Sequence, residues 1–227
     1  MNIAIIPARG GSKRIPRKNI KLFYGKPIIE YSICAALESG VFDEVMVSTD
    51  DVEIADVARS AGARVPFFRS ESTSNDTATI TDVLLEVIDE YQKINRYFEN
   101  ICAVYPTAPF VTSQTLRAAM QTLMQSDADA LIPVVPYSHP PQRGLEIKGN
   151  RVDYIRPENR FVRSQDLAPV YHDSGQFCCV KTVAILAQES LFCKETIPLI
   201  LNEFEAQDID SETDWWLAEL KYKFLFG

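Results

Sequence analysis

Short unbroken apolar runs alternate along this chain with longer stretches whose apolar residues recur three and four positions apart. The first run, IAIIP at 3–7, has strand length and no polar break, the pattern of a strand covered on both faces. Residues 27–39 carry Ile28, Ile29, Ile33 and Leu37 near helical spacing and stop at Gly40. A second run, EVMVS at 44–48, ends at Thr49-Asp50-Asp51. One of these aspartates caps a helix over 52–61 that Gly62 closes. Residues 64–68 read as a third strand. This β-α-β-α-β order predicts a parallel sheet with helices on its faces.

The clearest helical stripe lies in 77–94, where Ile80, Val83, Leu84, Val87, Ile88 and Tyr91 share one face and Asn75 or Asp76 is the expected N-cap. A buried strand over 101–105 stops at PTAPF, whose prolines end helix and ladder alike. Ser113 is the expected cap of a helix running to about residue 126, and 130–135 is again strand. From 136 to 171 the rhythm breaks. Prolines stand at 136, 140, 141, 157 and 169, and LEIKGNRVDYI predicts a hairpin turning at Gly149-Asn150. This segment reads as an insertion projecting from a single α/β domain spanning 1–227. Residues 176–181 read as a return to the core and 198–202 as a last strand. A closing helix over 212–226 offers Trp215, Leu217, Leu220 and Phe224 for packing.

Composition narrows the class. Hydrophobic residues make up 46% of 227, enough for one substantial core, and no segment approaches the roughly 20 apolar residues of a membrane span. The N-terminal apolar run precedes its charges, unlike a signal peptide. Five cysteines at 34, 102, 178, 179 and 193 form an odd set without metal-ligand spacing, as expected of reduced thiols in a cytoplasmic protein.

Charge is distributed unevenly. The net charge is −8, yet Arg9, Lys13, Arg14, Arg17, Lys18, Lys21 and Lys26 all precede the first acid, Glu30, so the remainder carries about −15. An acidic body argues against nucleic acid as partner, and one concentrated basic segment suits a small polyanion. In open parallel sheets the first strand-to-loop junction is a favoured ligand site. Here it reads Pro7-Ala8-Arg9-Gly10-Gly11-Ser12, with glycines that let backbone N–H groups approach a phosphate. It is neither a P-loop, since the position five after Gly10 is Ile15, nor the G-x-G-x-x-G fingerprint. A solvated charged loop is the plain alternative.

The string ARGGSKRIPRKNI resembles the signature of the acylneuraminate cytidylyltransferases. The likeness extends to STDD at 48–51, RSESTSNDTAT at 69–79, YPTAP at 105–109 and the carboxylates near 208. The resemblance implies a Rossmann-like nucleotidyltransferase with a mostly parallel central sheet and a small inserted dimerisation hairpin. Its reaction is attack by the anomeric hydroxyl of a 2-keto sugar acid on the α-phosphorus of CTP. By family position, Arg9 and Lys18 are catalytic, neutralising charge on the phosphates. Ala8, Gly10, Ser12 and Asn19 belong to the same nucleotide-binding loop, with Arg69 and Asp76 on the cytidine side. Asp76 is equally explained as a helix cap.

Phosphoryl transfer of this kind calls for a divalent cation. In AQDIDSETDWW, Asp208 and Asp210 alternate around Ile209, so an extended chain points both carboxylates to one side. They match the family's D-x-D and are the expected Mg²⁺ ligands. Capping of the last helix by Asp208, Asp210 or Ser211 is the alternative.

RSQDL followed by YHDSGQF resembles the branch of the family that activates pseudaminic acid, and sialic or legionaminic acid are the neighbouring alternatives. Arg163 is the candidate for the sugar carboxylate. Gln165, His172, Asp173 and Gln176 are candidates for its hydroxyl and acetamido groups, and Thr107 for a further substrate contact. Cys178 and Cys179 stand where that branch carries aromatics, either opening the sugar pocket or serving as ordinary core. A non-catalytic nucleotide-sugar binding module would be expected to lose Lys18 or the Asp208–Asp210 pair, and both are present. A glycosyltransferase with its own D-x-D would leave the cationic loop without a triphosphate. The insertion at 136–171 is expected to make a homodimer.

Overall fold

In the computed structural model, which describes residues 1–227, the chain opens with β1 (Asn2–Pro7), two short paired strands β2 (Leu22–Phe23) and β3 (Lys26–Pro27), and α1 (Ile28–Ser39). There follow β4 (Glu44–Ser48), α2 (Val52–Ser60), a single turn α3 (Glu71–Ser74) and α4 (Ile80–Lys93). Next come β5 (Asn100–Val104), α5 (Ser113–Met124), β6 (Ala130–Pro136) and the hairpin β7 (Leu145–Lys148) with β8 (Arg151–Tyr154). The chain closes through β9 (Tyr171–Asp173), β10 (Phe177–Lys181), α6 (Thr182–Gln188), β11 (Thr196–Ile200) and α7 (Glu212–Phe226).

The central sheet runs β11-β6-β10-β5-β1-β4, with β9 also on β6. It is mixed. β1 is parallel to β4 and β5, and β11 to β6, whereas β10 runs antiparallel between β5 and β6. Alternation along β1 sends Ala4 and Ile6 to one face, against Ile33 of α1 and Leu116 of α5. Ile3 and Ile5 go to the other, against Leu84 and Val87 of α4 and Ile185 of α6. The result is an α/β sandwich of three layers.

A third, smaller cluster decides where the chemistry sits. Ile15 of the basic loop, Phe23, Phe110, Ile209 and Trp215 are buried together. Burying Ile15 and Ile209 in one knot holds the basic loop beside the start of α7. No helix is long and apolar enough to cross a membrane.

Several local expectations are corrected. Residues 64–68 form no strand: one bridge, Met46 to Arg64, is all that pairs, because Pro66 has no N–H to donate. The α4 N-cap is Thr79, in a capping box with Asp82, rather than Asn75 or Asp76. Thr112, not Ser113, caps α5. On α7 the packed residues are Trp215 and Ala218, while Leu217, Leu220 and Phe224 are exposed. The predicted hairpin is present, and β7 and β8 pair only with each other.

Candidate active site

The C-terminal ends of β1 and β5 open into a cleft of about 510 Å³. Arg9, Ser12, Lys18, Asn19, Arg69, Asp76, Thr107 and Asp208 line it, so eight of the candidates named from the sequence converge there. Lys13, Arg14 and Tyr105 line it too. The first two lie within the signature at 8–20.

Two members of the loop act behind the cleft. Ala8 is buried, and its N–H donates to the Ser48 carbonyl at 2.9 Å, stitching the loop to β4. The Gly10 N–H donates to Asp50 Oδ1 at 2.8 Å and is therefore committed to protein. A Cβ on Gly10 would meet Asp51 Oδ2 at 2.7 Å, so glycine is required by Asp51. Gly11 has open space beside it. Asn19, nearly buried, donates from Nδ2 to the Arg9 carbonyl at 3.0 Å and sets the loop's curvature.

Four of the cleft's five Lys and Arg side chains, Arg9, Lys13, Arg14 and Lys18, are paired with acids. Arg9 donates to Asp76 Oδ1 at 3.0 Å and to the Asn75 carbonyl at 2.9 Å, and Lys13 pairs with the same aspartate. These partners hold the Asp76 carboxyl below its ordinary range, Lys13 contributing most. Asp76 is thus a counter-ion of the loop rather than a helix cap. Arg69 donates to Ser48 Oγ at 3.1 Å and to the Ser48 carbonyl at 2.7 Å. Burial pushes its guanidinium down to about 10, against the pull of Asp50 and Glu86.

Asp208 and Asp210 flank the buried Ile209, so both carboxylates face away from the core. Asp210 accepts from Arg14 at 2.8 Å and lies 3.5 Å from Lys18 Nζ. The Asp208 carboxyl is held above its ordinary value, first by loss of water around it and then by Asp210. Neither caps α7, which Ser211 does in a capping box with Asp214.

Asp208 also lines a second cavity, of about 470 Å³, together with His172, Asp173, Ser174, Glu203 and Lys221. Its wall is the break between β9 and β10. There Gly175 takes φ +66°, and a Cβ would sit 3.4 Å from the Asp208 side chain. Gln176 lines neither cavity: it is buried, and its side-chain amide donates through Nε2 to the Glu205 carbonyl, bracing the segment before Asp208. Arg163 and Gln165 lie outside both cavities on the insertion. Arg163 is paired with Asp166, and Gln165 lines a separate groove beside Tyr137 and Ser138. Cys178 and Cys179 are buried in the sheet and do not line the second cavity.

Comparison with known proteins agrees with this geometry. A cytidylyltransferase family model matches residues 3–208. The chain is 40% identical over 223 residues to a pseudaminic acid cytidylyltransferase of Campylobacter jejuni, covering 98% of this chain and 96% of that protein. It is 36% identical over 226 residues to a CMP-N,N'-diacetyllegionaminic acid synthase of Legionella pneumophila, covering 96% and 94%. In fold it is similar to a CMP:2-keto-3-deoxy-manno-octonic acid synthetase solved with CTP, with TM-score 0.69, 19% identity and 98% of each chain covered. A full-length match in sequence, a shared fold and a cationic cleft at the first strand junction together place the chain in the cytidylyltransferase family.

Proposed function

We propose that this chain transfers CMP from CTP to the anomeric hydroxyl of pseudaminic acid, releasing pyrophosphate. The observation that carries this reading is Asp208, which lines both the cationic cleft and the second cavity. A transfer between two bound molecules needs two adjoining pockets with the reacting atoms at their junction. The similarity to the Campylobacter jejuni enzyme supports pseudaminic acid as the acceptor.

The triphosphate takes the cationic cleft. Arg9, Lys13 and Lys18 neutralise its oxygens, with Ser12 and Asn19 ordering the loop. To do so, Arg9 and Lys13 exchange Asp76 for phosphate, an ion-pair swap at the surface that costs little. The acceptor takes the second cavity, where His172 and Asp173 face its hydroxyl or amide groups. The new bond joins the anomeric oxygen to the α-phosphorus as the hydroxyl proton passes to water, and the bond to the bridging oxygen breaks with pyrophosphate as leaving group.

Mg²⁺ fits the donor set. No three His, Cys, Asp or Glu side chains gather into a protein-only metal site. Two carboxylates supplemented by phosphate oxygens are the usual provision for Mg²⁺. Asp208, whose carboxylate has no side-chain donor while its backbone carbonyl accepts from Gln207 Nε2 at 3.0 Å, and Asp210 would hold it. Bound there, it would offset charge on the phosphates.

The free thiols suit a reducing compartment such as the cytoplasm. The exposed arm at 136–171, with Ile147 and Phe161 bare, suits a homodimer formed through the arm. The test is direct: purified chain, CTP, Mg²⁺ and pseudaminic acid, with the product weighed by mass spectrometry. A CMP ester of the sugar is expected, and unchanged CTP would refute the assignment.

A further inference from the structure

Lys221 of α7 is the single Lys or Arg lining the second cavity, which is otherwise acidic through Asp173, Glu203 and Asp208. An acceptor that carries a carboxylate is repelled by three of these groups and attracted by one. Arg163, the guanidinium the sequence offers for that carboxylate, is 71% exposed and spends two hydrogen bonds on Asp166, at 2.7 and 3.0 Å.

Lys221 is fixed but not exhausted. Its Nζ donates to the Glu203 carbonyl at 2.9 Å and to the Ala206 carbonyl at 2.8 Å. An ammonium has three N–H groups, so one remains. In the same cavity Ser174 is 2% exposed, and its Oγ has no hydrogen-bond partner. A buried hydroxyl left unpaired is costly and therefore uncommon unless a ligand completes it. Its backbone is pinned by the N–H of Ser174 to the Pro133 carbonyl at 3.0 Å and by the turn at Gly175.

We infer that Lys221 and Ser174 bind the carboxylate of the sugar acid, one oxygen on the ammonium and the other on the hydroxyl. The inference rests on the acceptor assignment made above and names the residues that read its acid group. Two spare donors, one charged and one neutral, match a carboxylate's two oxygens. Burial also draws the Lys221 ammonium below the ordinary lysine value, so an anion beside it offsets the cost of burying the charge.

The experiment is steady-state kinetics with pseudaminic acid and its methyl ester, the latter lacking the charge. The wild-type chain should prefer the acid. Lys221→Met should raise KM for the acid roughly 10- to 100-fold and abolish the preference, with KM for CTP unchanged as evidence of an intact fold. Lys221→Arg should restore much of the preference, Ser174→Ala should weaken it several-fold, and Arg163→Met should retain it. Retention of the preference by Lys221→Met, or its loss in Arg163→Met, would overturn the inference. Absence of turnover by the wild-type chain with every nonulosonic acid would overturn the acceptor assignment itself, and the inference with it.

Discussion

Lys18 of the basic loop donates a hydrogen bond of 2.7 Å to the carbonyl oxygen of Ile209, 191 positions further along the chain. The contact brings the basic loop and the Asp208–Asp210 segment to one place, with Ile15 and Ile209 packed beneath it. Lys18→Met should therefore do two things. Turnover should fall by at least about 100-fold, through loss of a charge at the triphosphate. Stability in urea should drop by about 1–2 kcal/mol, because the Ile209 carbonyl loses its donor. A variant with normal stability and normal turnover would contradict both roles.

The two loop glycines should behave differently. Gly10→Ala forces its Cβ against Asp51, which is held by Arg17 and by the α2 N-terminus and cannot withdraw. A destabilisation of about 1–3 kcal/mol is expected in chemical denaturation. Gly11→Ala meets nothing within 4 Å and should leave stability unchanged. A rise in KM for CTP in Gly11→Ala alone would then report how closely the triphosphate passes.

Asp51 supplies a pH-dependent part of the stability. Its carboxylate accepts two hydrogen bonds from Arg17, one of 3.0 Å, and caps α2 through the Ile54 N–H at 3.0 Å. Chiefly through Arg17, its folded carboxyl is held below the ordinary range, with burial opposing. A depressed carboxylate contributes stability above its unfolded value near 3.9, and that contribution disappears as pH falls through the folded value. Asp51→Ala should cost about 1–2 kcal/mol at pH 7. The gap between variant and wild type should narrow below about pH 4.

Much of this arrangement was legible in the sequence, because local pattern and local chemistry coincide there. The apolar runs of β1, β4 and β5 needed no distant partner to be recognised, and the signature at 8–20 is contiguous. What failed was decided elsewhere in the chain. Residues 64–68 look like a strand until Pro66 meets the edge of β4 with no donor. The cap of α4 was readable as T-x-x-D at Thr79 and Asp82. Asn75 competed for it, but in the fold its side chain closes a turn onto Thr77 and Ala78. Leu220 and Phe224 have helical spacing for a core face, yet α7 is anchored through Trp215 and turns them outward. Lys221 and Ser174 carried no signal, because only the sheet brings α7 and the β9–β10 break to one cavity.

Asp208 should show the opposite signature to Asp51. Its folded carboxyl is raised by desolvation and by Asp210, so the ionised form costs stability above that value and the neutral form does not. Asp208→Asn should unfold at the same temperature as wild type or higher, while pyrophosphate release falls to background. A less stable Asp208→Asn would mean that the carboxylate supports the fold instead of the reaction.

The proposed function has two pockets, meeting at Asp208, that serve CTP and a nonulosonic acid. Its most direct test is pyrophosphate release from CTP and Mg²⁺ with pseudaminic, N,N'-diacetyllegionaminic and N-acetylneuraminic acids compared at equal concentration. Fastest release with pseudaminic acid, and none with CTP alone, is the predicted result. Silence with pseudaminic acid alongside turnover of another of the three would contradict it.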